Sequence, residues 1–146
     1  MAKVDGIDHI NVYSRGKTEL GRLLSNFAHT PFTIDSNTFE SIEGYWFWLL
    51  SELPERDILK TLYGYKAKEK GSELRTILEY NDEFKENIYR AIRAKITQHD
   101  NIKQLLIKST LPFDHYYVYG SKIVRTSHGW TLDIIEKIRE EIKNGN

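Results

Sequence analysis

Two charged residues of this 146-residue chain occupy positions where a charge could do chemistry. Glu43 lies near the start of a predicted helix, after the polar segment Ser25-Asn26-Phe27 and a predicted hairpin. Lys95 falls on the apolar stripe of a long predicted helix, with His99 beside it. An inward-pointing lysine is rare unless it is paired or working. A carboxylate and an amine in such places could serve acid–base chemistry or hold an anion.

Each of these residues also has an interpretation without function. Glu43 could favour the helix dipole from the first turn. The methylenes of Lys95 could pack in the core while its ammonium reaches past the helix end to water. The pair Asp114-His115 has the types of an acid and a base, although His115 is more typical of a structural role.

Four other side chains could contact a ligand, and each has a plainer alternative. Trp48 projects to the side of its helix opposite the apolar stripe, where it could stack on a base or pack under another segment. Lys66 and Lys68 could bind a phosphate or form a solvated face. Asn26 could bind a ligand or satisfy the backbone of its own loop.

The composition excludes several classes of site. Lys plus Arg equals Asp plus Glu, 21 against 21, so no net charge draws the chain to nucleic acid. There is no cysteine, which excludes disulfides, thiolate metal sites and a cysteine nucleophile. The five histidines lack ligand spacing, and no Walker loop or dinucleotide fingerprint occurs, so we predict no metal and no cofactor.

The N-terminus lacks an apolar core of signal-peptide length, and the longest apolar run, Tyr45 to Leu50, is too short to cross a bilayer. We therefore expect a soluble, cytoplasmic protein without a membrane partner.

The elements that must position these residues follow from periodicity and turn signals. Strands are predicted at 10–13, 32–34 and 38–39, with a hairpin over 116–125 around Gly120-Ser121. Helices are predicted at about 42–53, where Ser41 can be the N-cap, and at about 83–99, after the start signal Asn81-Asp82. Further helices are predicted around 102–106 and from Thr131 onward. We expect a single α+β domain over 1–146, compact and mainly helical, with short β-strands and hairpins.

The stretch between the two main helices is read from its glycines and proline. Pro54 ends one helix or opens the next, which should turn Ile58, Leu59 and Leu62 inward. The basic segment 64–71 is bounded by glycines, and Ser72 could cap a further helical turn through Leu74, Ile77 and Leu78.

These residues, in this order, resemble the NADAR superfamily of YbiA-like proteins. The resemblance rests on Leu24-Ser25-Asn26-Phe27, Ser41-Ile-Glu43-Gly-Tyr45, Gly64-Tyr-Lys-Ala-Lys68 and Ala94-Lys95-Ile-Thr-Gln98, and covers about residues 10 to 110. Where the family commonly has histidine after the glutamate, this chain has Gly44. Of the family's Asp-x-x-Trp-Gly and Asn-Leu-Gly motifs near the end, only Asp114 and Gly129-Trp130 are present.

The resemblance implies an enzyme of ribosyl compounds that hydrolyses N-glycosidic bonds without a metal. Substrates known in that family include riboflavin-pathway intermediates and ADP-ribose attached to guanine. The resemblance therefore implies that this chain acts on a small ribosyl or ADP-ribosyl substrate or on ADP-ribosylated nucleic acid. A binding module for ADP-ribose or a related nucleotide, without turnover, is the alternative that the missing C-terminal motif favours. The predicted catalytic residues are Glu43, Lys95 and Asp114. The predicted substrate contacts are Ser25, Asn26, Phe27, Tyr45, Trp48, Gly64, Lys66, Lys68, Gln98 and Trp130.

Overall fold

Helices and short strands make up the computed structural model, which describes residues 3–125 and 128–145. The helices are α1 (Glu19–Leu24), α2 (Ile42–Leu49), a 3-10 helix (Pro54–Thr61), α3 (Gly64–Leu74), α4 (Asp82–Gln98), α5 (Asp100–Lys108) and α6 (Trp130–Lys143). The strands are β1 (Ile10–Asn11), β2 (Phe32–Ile34), β3 (Asn37–Phe39), β4 (Phe113–Asp114), β5 (Tyr116–Tyr119) and β6 (Lys122–Arg125). The predicted α+β class, mainly helical with short strands, is confirmed.

Residue contacts divide the described residues into two compact units. The terminal unit comprises 3–25, 100–125 and 128–145, and the central unit comprises 26–99. The central unit is continuous in sequence and carries both Glu43 and Lys95. The single domain over 1–146 stays a prediction.

The terminal unit is assembled by pairing across the length of the chain. β1 pairs with β4 in parallel, in the register Ile10 to Phe113. The buried Asn11 side chain adds two bonds: Nδ2 donates to Tyr116 O at 3.0 Å, and Tyr116 N donates to Oδ1 at 3.0 Å. The predicted hairpin over 116–125 is confirmed, and its turn uses Gly120 at φ +62°. β4 was not predicted, because two residues carry too little pattern.

The central unit is built on the β2–β3 hairpin and the long helix α4. Phe32 and Phe39 pair across the two strands and are almost fully buried. The turn places Asp35 and Ser36 at positive φ, as a tight hairpin requires. Asp35 also accepts two hydrogen bonds from the Arg90 guanidinium, the shorter at 2.7 Å, which ties the turn to α4.

Helix α2 is shorter than predicted, ending at Leu49 instead of residue 53. The reason lies outside the helix. Glu52 N donates to Thr76 Oγ1 at 2.9 Å and Leu53 N donates to Ser51 Oγ at 3.2 Å, so neither N–H bonds back to a carbonyl of α2.

The prediction for the following segment was wrong in two respects. Helix α3 runs through Gly64–Leu74 as one element, and no helix begins at Ser72. Gly71 lies inside α3 and is not a helix boundary. A Cβ at this position would come within 2.2 Å of Phe47 Cγ, so the glycine permits close packing of α3 on α2. Ile58 and Leu78 are exposed, and only Leu59 of the predicted inward set is fully buried.

Among the described residues, no helix combines the length and apolar character needed to span a membrane.

Candidate functional site

Glu43 is placed in the first turn of α2 by a capped helix start. The Ser41 hydroxyl oxygen accepts from Gly44 N at 3.0 Å and donates to Leu62 O at 2.9 Å. Ser41 is completely buried, so both bonds are made away from water. The predicted N-cap is confirmed, and it also fixes the chain around Leu62 against the start of α2.

Backbone hydrogen bonds join the Asn26-Phe27 segment to two helix starts. Asn26 O accepts from Glu43 N at 2.9 Å, and Phe27 O accepts from Gly64 N at 3.0 Å. Gly64 has φ +63°, a conformation that glycine adopts at little cost. The carbonyls of two successive residues, Asn26 and Phe27, therefore hold the first residues of α2 and α3 side by side. We call this meeting of the two helix starts the junction, and Glu43 lies at it.

Gly44 is required by the same junction. A Cβ at this position would lie 2.4 Å from Leu59 O and 3.2 Å from Leu62 O, both backbone atoms. The 3-10 helix thus passes too close for any side chain at residue 44. A histidine, as in the family pattern that the sequence resembles, would overlap these backbone atoms.

The Glu43 carboxyl group has an unusual environment. It keeps part of its surface accessible, yet protein atoms crowd it closely enough for desolvation to raise its pKa to about 7. Nearby Lys68 opposes that shift electrostatically. Within residues 3–125 and 128–145, no hydrogen bond or ion pair to this carboxylate is present. A carboxyl group that is accessible, without such a partner and close to half-ionised at neutral pH suits acid–base chemistry.

Two positively charged residues lie near the start of α3. Lys66 and Lys68 are exposed in the first two turns of that helix, and Lys68 is close enough to affect the ionisation of Glu43. The structure thus brings together Glu43, Asn26, Phe27, Gly64 and Lys68 of the predicted site.

Lys95 is buried, with 1% of its surface exposed. The alternative in which its ammonium reaches water past the helix end is therefore wrong. Phe84, Ile88 and Ile92 are buried on the same helix, as the periodicity predicted. Burial lowers the pKa of Lys95 to about 7, because desolvation penalises the ammonium form.

Replacing Lys95 by methionine should flatten the pH dependence of stability. The folded-state pKa lies below the value of 10.5 expected in the unfolded chain, so the free energy of unfolding of the natural protein rises between about pH 7 and 10.5. The slope is at most about 1.4 kcal/mol per pH unit. Lys95→Met should remove that slope, which urea unfolding series at several pH values would measure.

The same variant tests the functional role of Lys95. If the amine serves an anionic ligand, the thermal shift produced by ADP-ribose should shrink in Lys95→Met. An unchanged shift would contradict that role. A marked loss of stability at pH 7 would instead show that a structural partner depends on the amine.

Two aromatic side chains of the predicted site pack within the central unit. Tyr45 is buried against Phe32 and Phe39, and burial raises the pKa of its hydroxyl. Trp48 has the Arg56 guanidinium 3.7 Å above its ring, and its Nε1 donates to Asp57 Oδ1 at 2.9 Å. Stacking of a base on that face of Trp48 would require Arg56 to move, so the packing alternative fits the geometry better.

Gln98 has a structural environment. Its Nε2 donates to Thr33 O and its Oε1 accepts from Thr33 N, both at 2.8 Å, so the amide extends the edge of β2 like another strand residue. A substrate contact would have to replace these bonds, and that role stays a prediction.

The remaining predicted residues belong to the terminal unit. Ser25 is buried at the end of α1, and Trp130 is the first residue of α6. Asp114 accepts from Arg125 Nη1 at 2.6 Å and from His115 N at 2.8 Å. Burial acts to raise the pKa of Asp114, but these donors outweigh it and the pKa is lowered. A carboxylate held ionised in this way is poorly suited to donating a proton.

His115 has the geometry of a structural residue. Its Nδ1 lies 2.6 Å from Val12 O, so Nδ1 carries the hydrogen and donates to that carbonyl. Burial lowers the pKa of the ring.

The sequence interpretation missed an aromatic pair beside the junction. His29 and Tyr63 stack with ring centroids 4.1 Å apart and an interplanar angle of 5°. Tyr63 immediately precedes Gly64, and His29 follows Phe27 by two residues. In the sequence, these rings lie next to the motifs 24–27 and 64–68, and that position was the available signal. Their pairing depends on the fold.

No group of three or more His, Asp or Glu side chains placed to hold a metal ion occurs among residues 3–125 and 128–145.

Comparison with known proteins identifies the fold. No protein-family model matches the sequence, and no curated protein matches it. The NMR structure of the E. coli protein YbiA superposes with a TM-score of 0.73 at 19% identity, covering 96% of this chain and 91% of YbiA. The resemblance predicted from the motifs is thereby confirmed at the level of the fold: this chain has the YbiA fold.

Proposed function

We propose that this protein hydrolyses the N-glycosidic bond of a ribosyl or ADP-ribosyl compound without a metal ion, with Glu43 as its acid–base residue. The observation that carries the proposal is the Glu43 carboxyl group, which is accessible, fixed at the junction of α2, α3 and the Asn26-Phe27 segment, and has a pKa raised to about 7. The YbiA fold, predicted from the motifs around Glu43, supports the same assignment.

The reaction places clear demands on such a group. The C–N bond breaks, the base leaves with the bonding electron pair, and positive charge builds on the sugar. Water then forms the new C–O bond at the same carbon and gives up a proton. A carboxylate beside the sugar stabilises the positive charge and accepts the proton of water, and its neutral form can protonate the departing base.

Two lysines of α3 could bind the phosphate groups of such a substrate. Lys66 and Lys68 are exposed, and neither forms an ion pair within the part of the chain that the structure describes. A phosphate or pyrophosphate bound there would place the attached ribose near the first turn of α2, because Lys68 is electrostatically coupled to Glu43. Lys68 also favours the ionised carboxylate that is needed when the sugar becomes positive.

The experiment that tests the proposal is direct detection of products. The protein should be incubated with ADP-ribosylated DNA oligonucleotides and with ribosyl-amine compounds, and released base and sugar should be measured by mass spectrometry. Release that depends on Glu43 supports the proposal. Saturable binding of these compounds without any release would contradict it and favour the nucleotide-binding alternative.

Chelation should leave the reaction rate unchanged. The prediction rests on the absence of cysteine and of histidine pairs with ligand spacing in the sequence. Initial rates should agree within about twofold before and after EDTA treatment, with a substrate that lacks a pyrophosphate as the control for metal bound to the substrate. Loss of activity that a divalent ion restores would contradict the prediction.

A further inference from the structure

The stacked rings of His29 and Tyr63 are exposed to solvent next to the candidate site. Tyr63 is 49% exposed, and the side chain of His29 is 47% exposed. The rings are parallel at 4.1 Å, so each covers one face of the other and much of the remaining ring surface is open to water. Two adjacent aromatic side chains that are left half-exposed mark a surface suited to another planar group.

The backbone bonds that place Glu43 also place this pair. Tyr63 lies between Leu62, whose carbonyl accepts from Ser41 Oγ, and Gly64, whose N–H donates to Phe27 O. On the other side, Asn26 O accepts from Glu43 N, and the chain continues to His29. The two segments that carry the rings are therefore both hydrogen-bonded to the start of α2, where Glu43 lies.

The pair is held in position before any ligand arrives. His29 Nε2 lies 2.9 Å from Glu40 Oε1, and Glu40 N donates to Lys60 O at 3.1 Å. The His29 ring is thus fixed at its edge by Glu40 and at its face by Tyr63. A planar ligand that stacks on rings already held in this way loses less free energy to ordering the protein.

We propose that the outer face of the His29–Tyr63 pair stacks against the nitrogen base of the ribosyl substrate, with the sugar directed to Glu43. This inference rests on the proposed function and assigns to the pair the base contact that was predicted for Trp48. Trp48 is less suited to it, because Arg56 covers one of its faces and Asp57 occupies its Nε1. Recognition by ring faces makes no use of hydrogen-bonding edges, so bases of similar size should be bound almost equally well.

Binding measurements in Glu43→Gln, where turnover is suppressed, test the inference. The dissociation constants of GMP and of ribose 5-phosphate are measured by calorimetry, and their ratio gives the contribution of the base. We expect GMP to bind at least about tenfold more tightly, as aromatic stacking of one base provides. Adding Tyr63→Leu should reduce that preference to about twofold or less and leave ribose 5-phosphate binding unchanged, whereas Tyr63→Phe should retain it.

Tyr65→Leu is the matched control, because Tyr65 is also exposed at the start of α3 but has no stacking contact with His29. It should leave the preference for GMP intact. The inference is overturned if Glu43→Gln shows no preference for GMP, if Tyr63→Leu keeps the preference, or if Tyr65→Leu abolishes it. These binding results do not depend on turnover. Absence of product release would therefore contradict the proposed function and could not be mistaken for failure of the stacking inference. Unchanged melting temperatures show that each variant is folded.

Discussion

Glu43→Gln is expected to lower turnover of the ribosyl substrate by at least about 100-fold. The substitution keeps the shape of the side chain and nearly its helix propensity, but it removes both the negative charge and the titratable proton. The pH profile of turnover by the natural protein should show an inflection near pH 7, the pKa of this carboxyl group, and the residual turnover of the variant should lack it.

The same substitution should stabilise the protein above pH 7. The pKa of Glu43 is raised from 4.5 to about 7 on folding, so the folded protein binds its proton more tightly than the unfolded chain. The free energy of unfolding of the natural protein therefore falls as the pH rises between these values, and ionised Glu43 costs stability at every higher pH. Because the carboxyl group keeps partial access to water, we expect a gain of about 1–3 kcal/mol for glutamine.

Glu55→Gln is the matched control, since it removes an exposed carboxylate from the first turn of the 3-10 helix. Turnover and stability of that variant should both stay near those of the natural protein. Turnover by Glu43→Gln within a few-fold of that of the natural protein would show that Glu43 only stabilises the helix end. A lower melting temperature at pH 8 would show that the ionised form is needed for folding.

Gly44→Ala is expected to destabilise the protein by about 2–3 kcal/mol, or by about 5–10 °C in melting temperature. The new methyl carbon would lie 2.4 Å from Leu59 O, a backbone atom that no rotamer change can move aside. Alanine gains about 1 kcal/mol in helix propensity, which offsets only part of this overlap. Relief requires the 3-10 helix to shift, and this would also disturb the bond from Ser41 to Leu62 O.

Gly129→Ala provides the control for this substitution, because no atom lies within 4 Å of a Cβ built at that position. Its stability should stay within about 0.5 kcal/mol of the natural protein. Differential scanning calorimetry of the two variants makes the comparison. Equal stability of Gly44→Ala and the natural protein would show that the 3-10 helix yields readily to a side chain at this position.

The sequence was sufficient where a local pattern has one main solution. Ser41 and Asn81 cap helices as predicted, since a polar side chain before an apolar periodic run satisfies free backbone N–H groups in that way. Gly120 forms the predicted turn for a similarly local reason. Periodicity also placed Lys95 among buried apolar residues of α4.

Patterns with two meanings were decided by packing. Gly71 could be a helix end or a contact point, and the approach of Phe47 made it a contact point within α3. Trp48 could meet a ligand or its own fold, and Arg56 and Asp57 provided protein partners. Both outcomes depend on residues brought together by tertiary structure, to which a periodicity argument has no access.

The sequence by itself determined the capped helix that carries Glu43, the position of Lys95 on the apolar stripe of its helix and the motif order that predicted the YbiA fold. Only the tertiary structure decided the environment of the Glu43 carboxyl group and the pairing of His29 with Tyr63. The physical reason is that capping and periodicity act within one element, over a few residues of chain. Desolvation and ring stacking depend on atoms from separate elements, and these meet only when the carbonyls of Asn26 and Phe27 join α2 to α3.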